Sequence, residues 1–400
     1  MIFFITRDRL IIFGKRHRIC SNFLLTGKYF PQHAELNKMQ VENKAKKVTL
    51  STIESLTGVS KSTISRVLNN SKFVKPEIRD KVLQALEETG YKKSAPKLQI
   101  GMKISRITLV MGDYLGMSSG FYTRLIGQIK EEAKGLGLAV DLVILKDVTN
   151  TEMVTNQVEG REAILLLGLD TPEVISAIQA HRTPMVIING SDLRLQSSSV
   201  SPDYTLGGLM ATQNLLDAGH RNIKLIMTDY RYSLFERKAG FIRALEDAGI
   251  EFDAKQHILD LEEYARRIMN DNTLADLISS DKAGMDFGAS AVLPHAIANG
   301  ELEGVTAAFC VCDMVAISLM DSLKIAGISV PSQLSIIGFD DLEISSLTEP
   351  PLSTIRTNFD ALTKSAVRLL VTEIGQGHDY SVRLSTQVHL VERKSVKFLN

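Results

Sequence analysis

The 400 residues carry 46 Lys and Arg against 46 Asp and Glu, so the chain as a whole has no net charge to draw it to a polyanion or an acidic surface. Three cysteines and no repeated spacing exclude a disulfide framework, and Cys20, Cys310 and Cys312 do not form a zinc site with the scattered histidines. The length suits a small domain followed by two lobes of about 150 residues better than one large domain.

At the N-terminus, Ile2 to Ile5 and Leu10 to Phe13 are apolar but broken by Arg7, Asp8, Arg9, Lys15 and Arg16, too short for a membrane span or a secretory leader. Residues 1–46 are expected to be an extension, either a disordered tail or an upstream lengthening of the reading frame, with Met39 well placed as a start. Intact-mass measurement of the native protein checks this; a protease-protected chain beginning at Met1 would contradict it.

Organised pattern begins at Thr49. Leu50, Ile53 and Leu56 share one helical face, Gly58 breaks the helix, and Ile64, Val67 and Leu68 resume the period. Thr49 and Ser60 stand where N-caps belong, each worth roughly 1 kcal/mol. Val59 plugs the turn, which leaves Lys61, Ser62, Ser65, Arg66 and Asn69 facing outward on the second helix. This pattern spells a helix-turn-helix; an ordinary solvated helical hairpin is the plainer alternative. Pro76 opens a third helix with the stripe Ile78, Val82, Leu83 and Leu86, which ends at Gly90. Residues 41–105 hold a charge of about +7, so positive charge gathers where the small helices are.

From Thr49 to Tyr91 the sequence resembles the DNA-binding headpiece of the LacI/GalR family of bacterial transcription regulators, through the GVS turn, the SRVLN end of the second helix and the closing GY. The resemblance runs from about Val48 to the C-terminus. It implies that Lys61, Ser62 and Arg66 reach base edges, while Thr49, Ser60, Thr63, Ser65 and Asn69 hold phosphates. Two departures stand out. Glu54 replaces the small residue, usually Ala, at which the two helices approach, and must turn its carboxylate outward. Residues 92–105 form the hinge, but KKSAPKLQI places Lys93, Ser94, Lys97 and Ile100 where the family has other residues, and Pro96 opposes a regular helix there. Ile100 is the expected apolar wedge at a DNA base step. The hinge is similar to that of the Ebg repressor subgroup, which regulates galactoside use.

From Arg106 onward apolar runs at 107–111, 139–145, 163–167, 185–188, 223–227, 307–311 and 334–337 read as buried parallel strands. Helices are expected near 121–136, 172–181, 205–218, 235–248, 261–279, 314–326 and 360–375. This alternation is an α/β architecture with doubly wound parallel sheets. The resemblance implies two lobes like those of periplasmic sugar-binding proteins: lobe 1 at about 106–215 and 356–386, lobe 2 at about 216–355 and 387–400. Between Asp147 and Ala163 there is little room for the helix usual in the family.

Such sheets bind ligands at the carboxyl ends of their strands. Asp203, Arg237 and Asp340 match family positions that hydrogen-bond an effector, and carboxylates with a guanidinium grip vicinal hydroxyls. Phe121 and Tyr122 offer an aromatic face. Asp313 follows a strand, with Cys312 where the family often has Asn. Asp203 and Asp313 equally fit helix caps. Cys310 and Cys312 fit small core residues of a reducing cytosol, and His220 a structural turn.

No GxSxG, Walker loop or HExxH occurs, and Gly135 and Gly137 read as helix ends rather than a dinucleotide loop. No catalytic residue, cofactor or metal is assigned. The expected protein is a cytoplasmic DNA-binding regulator, a repressor of a carbohydrate operon, bound as a homodimer to a pseudo-palindromic operator. It has no membrane partner. With no heptad tail after LVERKS, tetramerisation through a C-terminal coiled coil is not expected. The alternatives are a sugar-binding protein of the same fold without a regulatory role, and an enzyme on this scaffold.

Overall fold

The computed structural model describes residues 5–6, 9–10, 49–68, 74–89, 104–113, 120–376 and 380–399. The chain divides into two compact units, Met1–Pro96 and Lys97–Asn400. Ile5–Thr6 pairs antiparallel with Arg9–Leu10; the rest of the extension expected over 1–46 lies outside the described residues.

In the first unit, three helices, α1 (Leu50–Thr57), α2 (Lys61–Leu68) and α3 (Pro76–Thr89), surround Ile53, Ile64, Val67, Val82 and Ala85. Thr49 closes a reciprocal capping box with Thr52, which satisfies two of the free N–H groups that begin α1. Gly58 ends α1 at φ +64°, where a residue without Cβ is unstrained, and its N–H reaches the Glu54 carbonyl at 2.8 Å. Val59 packs against the core as expected. Two stripe residues do not: Leu56 and Leu83 are 60% and 49% exposed. Thr57 and Ala85 are buried instead, because the inward face advances by four and three residues from Ile53 and Val82. Thr57 tolerates burial because its hydroxyl donates to the Ile53 carbonyl at 2.7 Å.

The second unit holds two six-stranded sheets. Sheet one contains β1 (Arg106–Gly112), β2 (Ala139–Leu145), β3 (Ile164–Leu167), β4 (Met185–Ile188), β5 (Ser198–Pro202) and, late in the chain, Arg383–Thr386; its pairings are all parallel. Sheet two contains β6 (Ile223–Met227), β7 (Ile258–Asp260), β8 (Ala307–Cys310), β9 (Ser335–Asp340) and β10 (Ser353–Thr357), with Val388–Val391 antiparallel at its edge. The late strands become β11 (Arg383–Thr386) and β12 (Val388–Val391), so the spatial orders are β11-β5-β4-β3-β1-β2 and β12-β10-β9-β8-β6-β7. In sheet one, alternate residues serve opposite faces. Leu109, Met111 and Leu165 pack under α4 (Gly120–Gly135), whereas Val110, Ile164 and Leu166 pack under α5 (Thr151–Val158) and α6 (Pro172–Gln179). Burial on both faces is why these strands read as unbroken apolar runs.

The structure corrects several expectations. A helix does fit between Asp147 and Ala163: α5 is capped by Asn150, which accepts the Met153 N–H at 3.0 Å, and it buries Val154 and Val158 one turn apart. The expected helix at 261–279 is two, Leu261–Arg267 and Asn272–Ser279, separated at Asn270 (φ +55°) with Asp271 recapping the chain. β5, SSVSP, lacks an apolar signal because its serines are buried with partners: the Ser201 hydroxyl donates to the Gly190 carbonyl and that of Ser198 to Glu373. Helix α7 (Tyr204–Asp217) packs its Tyr204, Ala211 and Leu215 into the sheet-two core. The first lobe crossing therefore lies at about Asp203, not near 215.

α7 and α8 (Tyr232–Asp247) approach backbone to backbone. A Cβ on Gly240 would collide with the Thr205 carbonyl and stand 2.6 Å from the Leu209 nitrogen; one on Gly208 would strike the Arg237 carbonyl. Gly240→Ala is expected to cost about 1–3 kcal/mol, as overpacking does, and to lower the thermal midpoint; an unchanged midpoint would show that the helices separate freely.

Candidate functional site

The site-bearing residues lie at the carboxyl ends of both sheets. β4 runs into Asn189, β6 is followed by Arg231, β8 by Cys312, and β9 ends in Asp340. Together with Phe121, Tyr122, Arg237 and Phe287 they line a cleft holding about 550 Å³ of empty space, open solvent included.

Arg237 projects from α8 and is only 5% exposed. One arm donates to the Val311 carbonyl, another to Asp340 Oδ1 at 3.1 Å, and the guanidinium lies 3.8 Å from the Phe339 ring centroid. Among the described residues its Nε–H has no partner, so the group keeps a donor for a ligand in a place where water is scarce. Burial pushes the Asp340 carboxyl above the usual range, against the pull of Arg237. Asp340 and Asp341 both have positive φ, +112° and +51°. Asp341 is anchored by Arg356 at 2.6 Å and Arg393 at 2.5 Å, which hold its pKa down despite its burial.

The opposite wall is aromatic and amide. Tyr122 Oη accepts the Asn189 amide N–H at 2.7 Å, while the Tyr204 hydroxyl donates to the Asn189 carbonyl oxygen. Burial raises the Tyr122 phenol to about 12, so it remains a neutral hydroxyl. Phe121 meets Tyr122 edge-on at 5.3 Å. Asn189 and Arg231 have no signal in the sequence alone: the first is a strand-end residue at φ +63°, the second lies in a polar loop and pairs with Asp281 at 3.1 Å.

Of the expected effector residues, Phe121, Tyr122, Arg237 and Asp340 therefore converge, and two do not line the cleft. Asp203 caps α7, accepting the Leu206 N–H at 2.9 Å. Asp313 begins the helix Asp313–Ile325, and its fully buried carboxylate turns inward to Leu342 N–H (2.8 Å), Ser345 Oγ (2.6 Å) and Thr354 Oγ1 (2.5 Å). Cys312, expected only as core, lines the cleft, while Cys310 is core. His220 is a structural turn residue, held by Thr306 and the Lys397 carbonyl.

On the first unit, Thr49, Ser60, Lys61, Ser62 and Arg66 are exposed and Thr63 is half-buried, so the start of α2 presents a polar face. Ser60 Oγ accepts the Thr63 N–H at 3.4 Å. The Ser65 side chain, Asn69, Ile100 and the hinge residues around Pro96 lie outside the described residues.

Comparison with known proteins adds to this geometry. Residues 49–94 match the bacterial regulatory proteins of the lacI family, and residues 212–396 match a periplasmic binding protein-like domain. An uncharacterised helix-turn-helix transcriptional regulator from the aml 5′ region of Streptomyces limosus is 31% identical over 351 residues, covering 84% of this chain and 91% of its own length. The chain belongs to the LacI family. The transcriptional repressor PurR of Pasteurella multocida is 25% identical over 357 residues, 87% of this chain and 98% of that one. A solved complex of the transcriptional regulator CelR with cellobiose shares the fold at TM-score 0.61 and 24% identity, covering 87% of this chain and 99% of the other. As a LacI-family member the protein is a DNA-binding transcriptional regulator and not an enzyme. No helix among the described residues is long and apolar enough to cross a membrane.

Burial, with the charge of Asp340 close by, pushes Asp313 up to about 7, against the three donors that hold its charged form. The folded state then keeps a proton that the unfolded state releases. This contribution is complete below the unfolded value of 3.8 and is lost as pH rises through about 7. Denaturant midpoints are expected to fall between about pH 5 and about pH 8 more steeply than in Asp313→Asn; identical slopes would refute the assignment.

Proposed function

We propose that this regulator is a repressor of a carbohydrate-utilisation operon, acting in the cytoplasm as a homodimer on a pseudo-palindromic operator and controlled by a sugar-like effector in the interlobe cleft. The observation that carries the reading is the buried Arg237–Asp340 pair, which faces an aromatic wall with an unused guanidinium N–H. A guanidinium fork and a carboxylate together grip adjacent hydroxyls, and the tyrosine and phenylalanine rings cover the apolar face of a sugar. Lys61, Ser62 and Arg66 read base edges in the major groove, and Thr49, Ser60, Thr63, Ser65 and Asn69 hold phosphates. Effector binding changes the relation of the lobes and, through residues 92–105, operator affinity; linkage requires DNA to change effector affinity by the same factor. Galactoside control rests on the hinge likeness alone. A sugar-binding protein without a regulatory role is disfavoured by the helix-turn-helix.

Gel-shift titration against genomic fragments at moderate salt tests the reading. Arg66→Ala is expected to weaken operator binding by about 1–3 kcal/mol while leaving sugar binding intact. Arg237→Ala is expected to abolish the sugar response with operator binding retained. Operator affinity indifferent to every sugar that the protein binds would overturn the switch.

A second compartment of about 840 Å³, open solvent included, shares Arg231 with the cleft and is lined by Lys146, Asp147, Asp170, Tyr230, Asp281 and Lys282. Its opposed charges leave hydrogen-bonding groups without one dominant sign, which suits the second ring of a glycoside, and the CelR relative is solved with cellobiose. Titration calorimetry is expected to show tighter binding of a two-ring glycoside than of its single ring; equal affinities would confine the effector to the first compartment.

A further inference from the structure

Glu54 sits on the last turn of α1, and its carboxylate meets the first residue of α2 twice. Oε1 accepts the Lys61 backbone N–H at 3.3 Å, and Oε2 lies 3.6 Å from Lys61 Nζ. The carboxylate therefore stands at the positive end of α2, where an anion is favoured and where a DNA phosphate would otherwise find free N–H groups. Both side chains remain open to solvent, 40% and 55% exposed, so the pair is reachable by DNA.

We propose that Glu54 is a specificity-determining residue: a built-in counter-ion that masks Lys61 from DNA phosphates and so suppresses sequence-independent binding. The proposal rests on Lys61 facing DNA. A phosphate gains from Lys61 only by displacing Glu54. A guanine edge carries no net charge and offers two neighbouring acceptors, O6 and N7, to the ammonium donors that Glu54 leaves unused. The masking therefore falls on backbone attraction more than on base reading, which widens the gap between specific and non-specific affinity.

Glu54→Gln in the full chain keeps the length and an acceptor for the Lys61 N–H while removing the charge. Fluorescence anisotropy over a salt series compares a scrambled duplex with an operator duplex selected from a random pool. The variant is expected to bind the scrambled duplex about fivefold more tightly at low salt, with a salt slope steeper by about 0.9, the equivalent of one more neutralised phosphate. Binding to the selected duplex should change less, and the gain on scrambled DNA should vanish when Lys61→Ala is added. An unchanged slope overturns the proposal. So does an equal gain in the Lys61→Ala background, since Glu54 would then act by its own repulsion. Failure of the unaltered chain to select any duplex would instead remove the DNA reading itself, and the proposal with it.

Discussion

A buried guanidinium imposes the strictest demand in this molecule. Taking Arg237 out of water costs several kcal/mol unless charge and hydrogen bonds replace the lost solvent. Asp340, the Val311 carbonyl and the face of Phe339 supply that replacement. Phe339 and Asp340 stand side by side at the end of β9 and Val311 follows β8, so the side chain is held only when β8, β9 and α8 are all in place. The glycines at 208 and 240 belong to the same arrangement, because they let α7 and α8 come close enough to seat the base of Arg237 against the sheet.

Asp340 is in turn held in an unusual backbone conformation by its neighbours. Two successive residues with positive φ are costly for side chains with a Cβ and persist where surrounding contacts over-determine them. Here Asp341 is clamped by Arg356 and Arg393, and the segment after it is tied to the buried carboxylate of Asp313 through Leu342 and Ser345. Asp313 therefore supports the cleft from behind. Its absence from the lining makes it a positioning group for the Asp340 loop.

Much of this is legible in the amino-acid sequence. Six of the seven apolar runs marked strands buried on both faces, because such strands need no polar alternation; the seventh, 139–145, is an edge strand that leaves Leu142 and Ile144 exposed. Thr49, Gly58 and Pro76 marked helix ends, because caps, left-handed turns and first-turn prolines are local chemistry. Strand β5 escaped notice because its buried serines satisfy themselves with partners more than ten residues away, and a hydropathy pattern records no such partner. Leu56 and Leu83 misled for a related reason: apolar character says that a residue tolerates burial, while the packing angle of three short helices decides which one is buried.

By itself the sequence determined the class of the protein, a helix-turn-helix joined to a two-lobed α/β domain, since periodicity, caps and motifs are properties of neighbours along the chain. It also pointed to Phe121, Tyr122, Arg237 and Asp340. Tertiary structure alone decided that these four meet across one cleft, that Asn189 and Arg231 join them, and that Asp203 and Asp313 turn away. A carboxylate in a sequence can serve as cap, clamp or ligand contact with the same chemistry, and only the donors within about 3 Å choose among those roles.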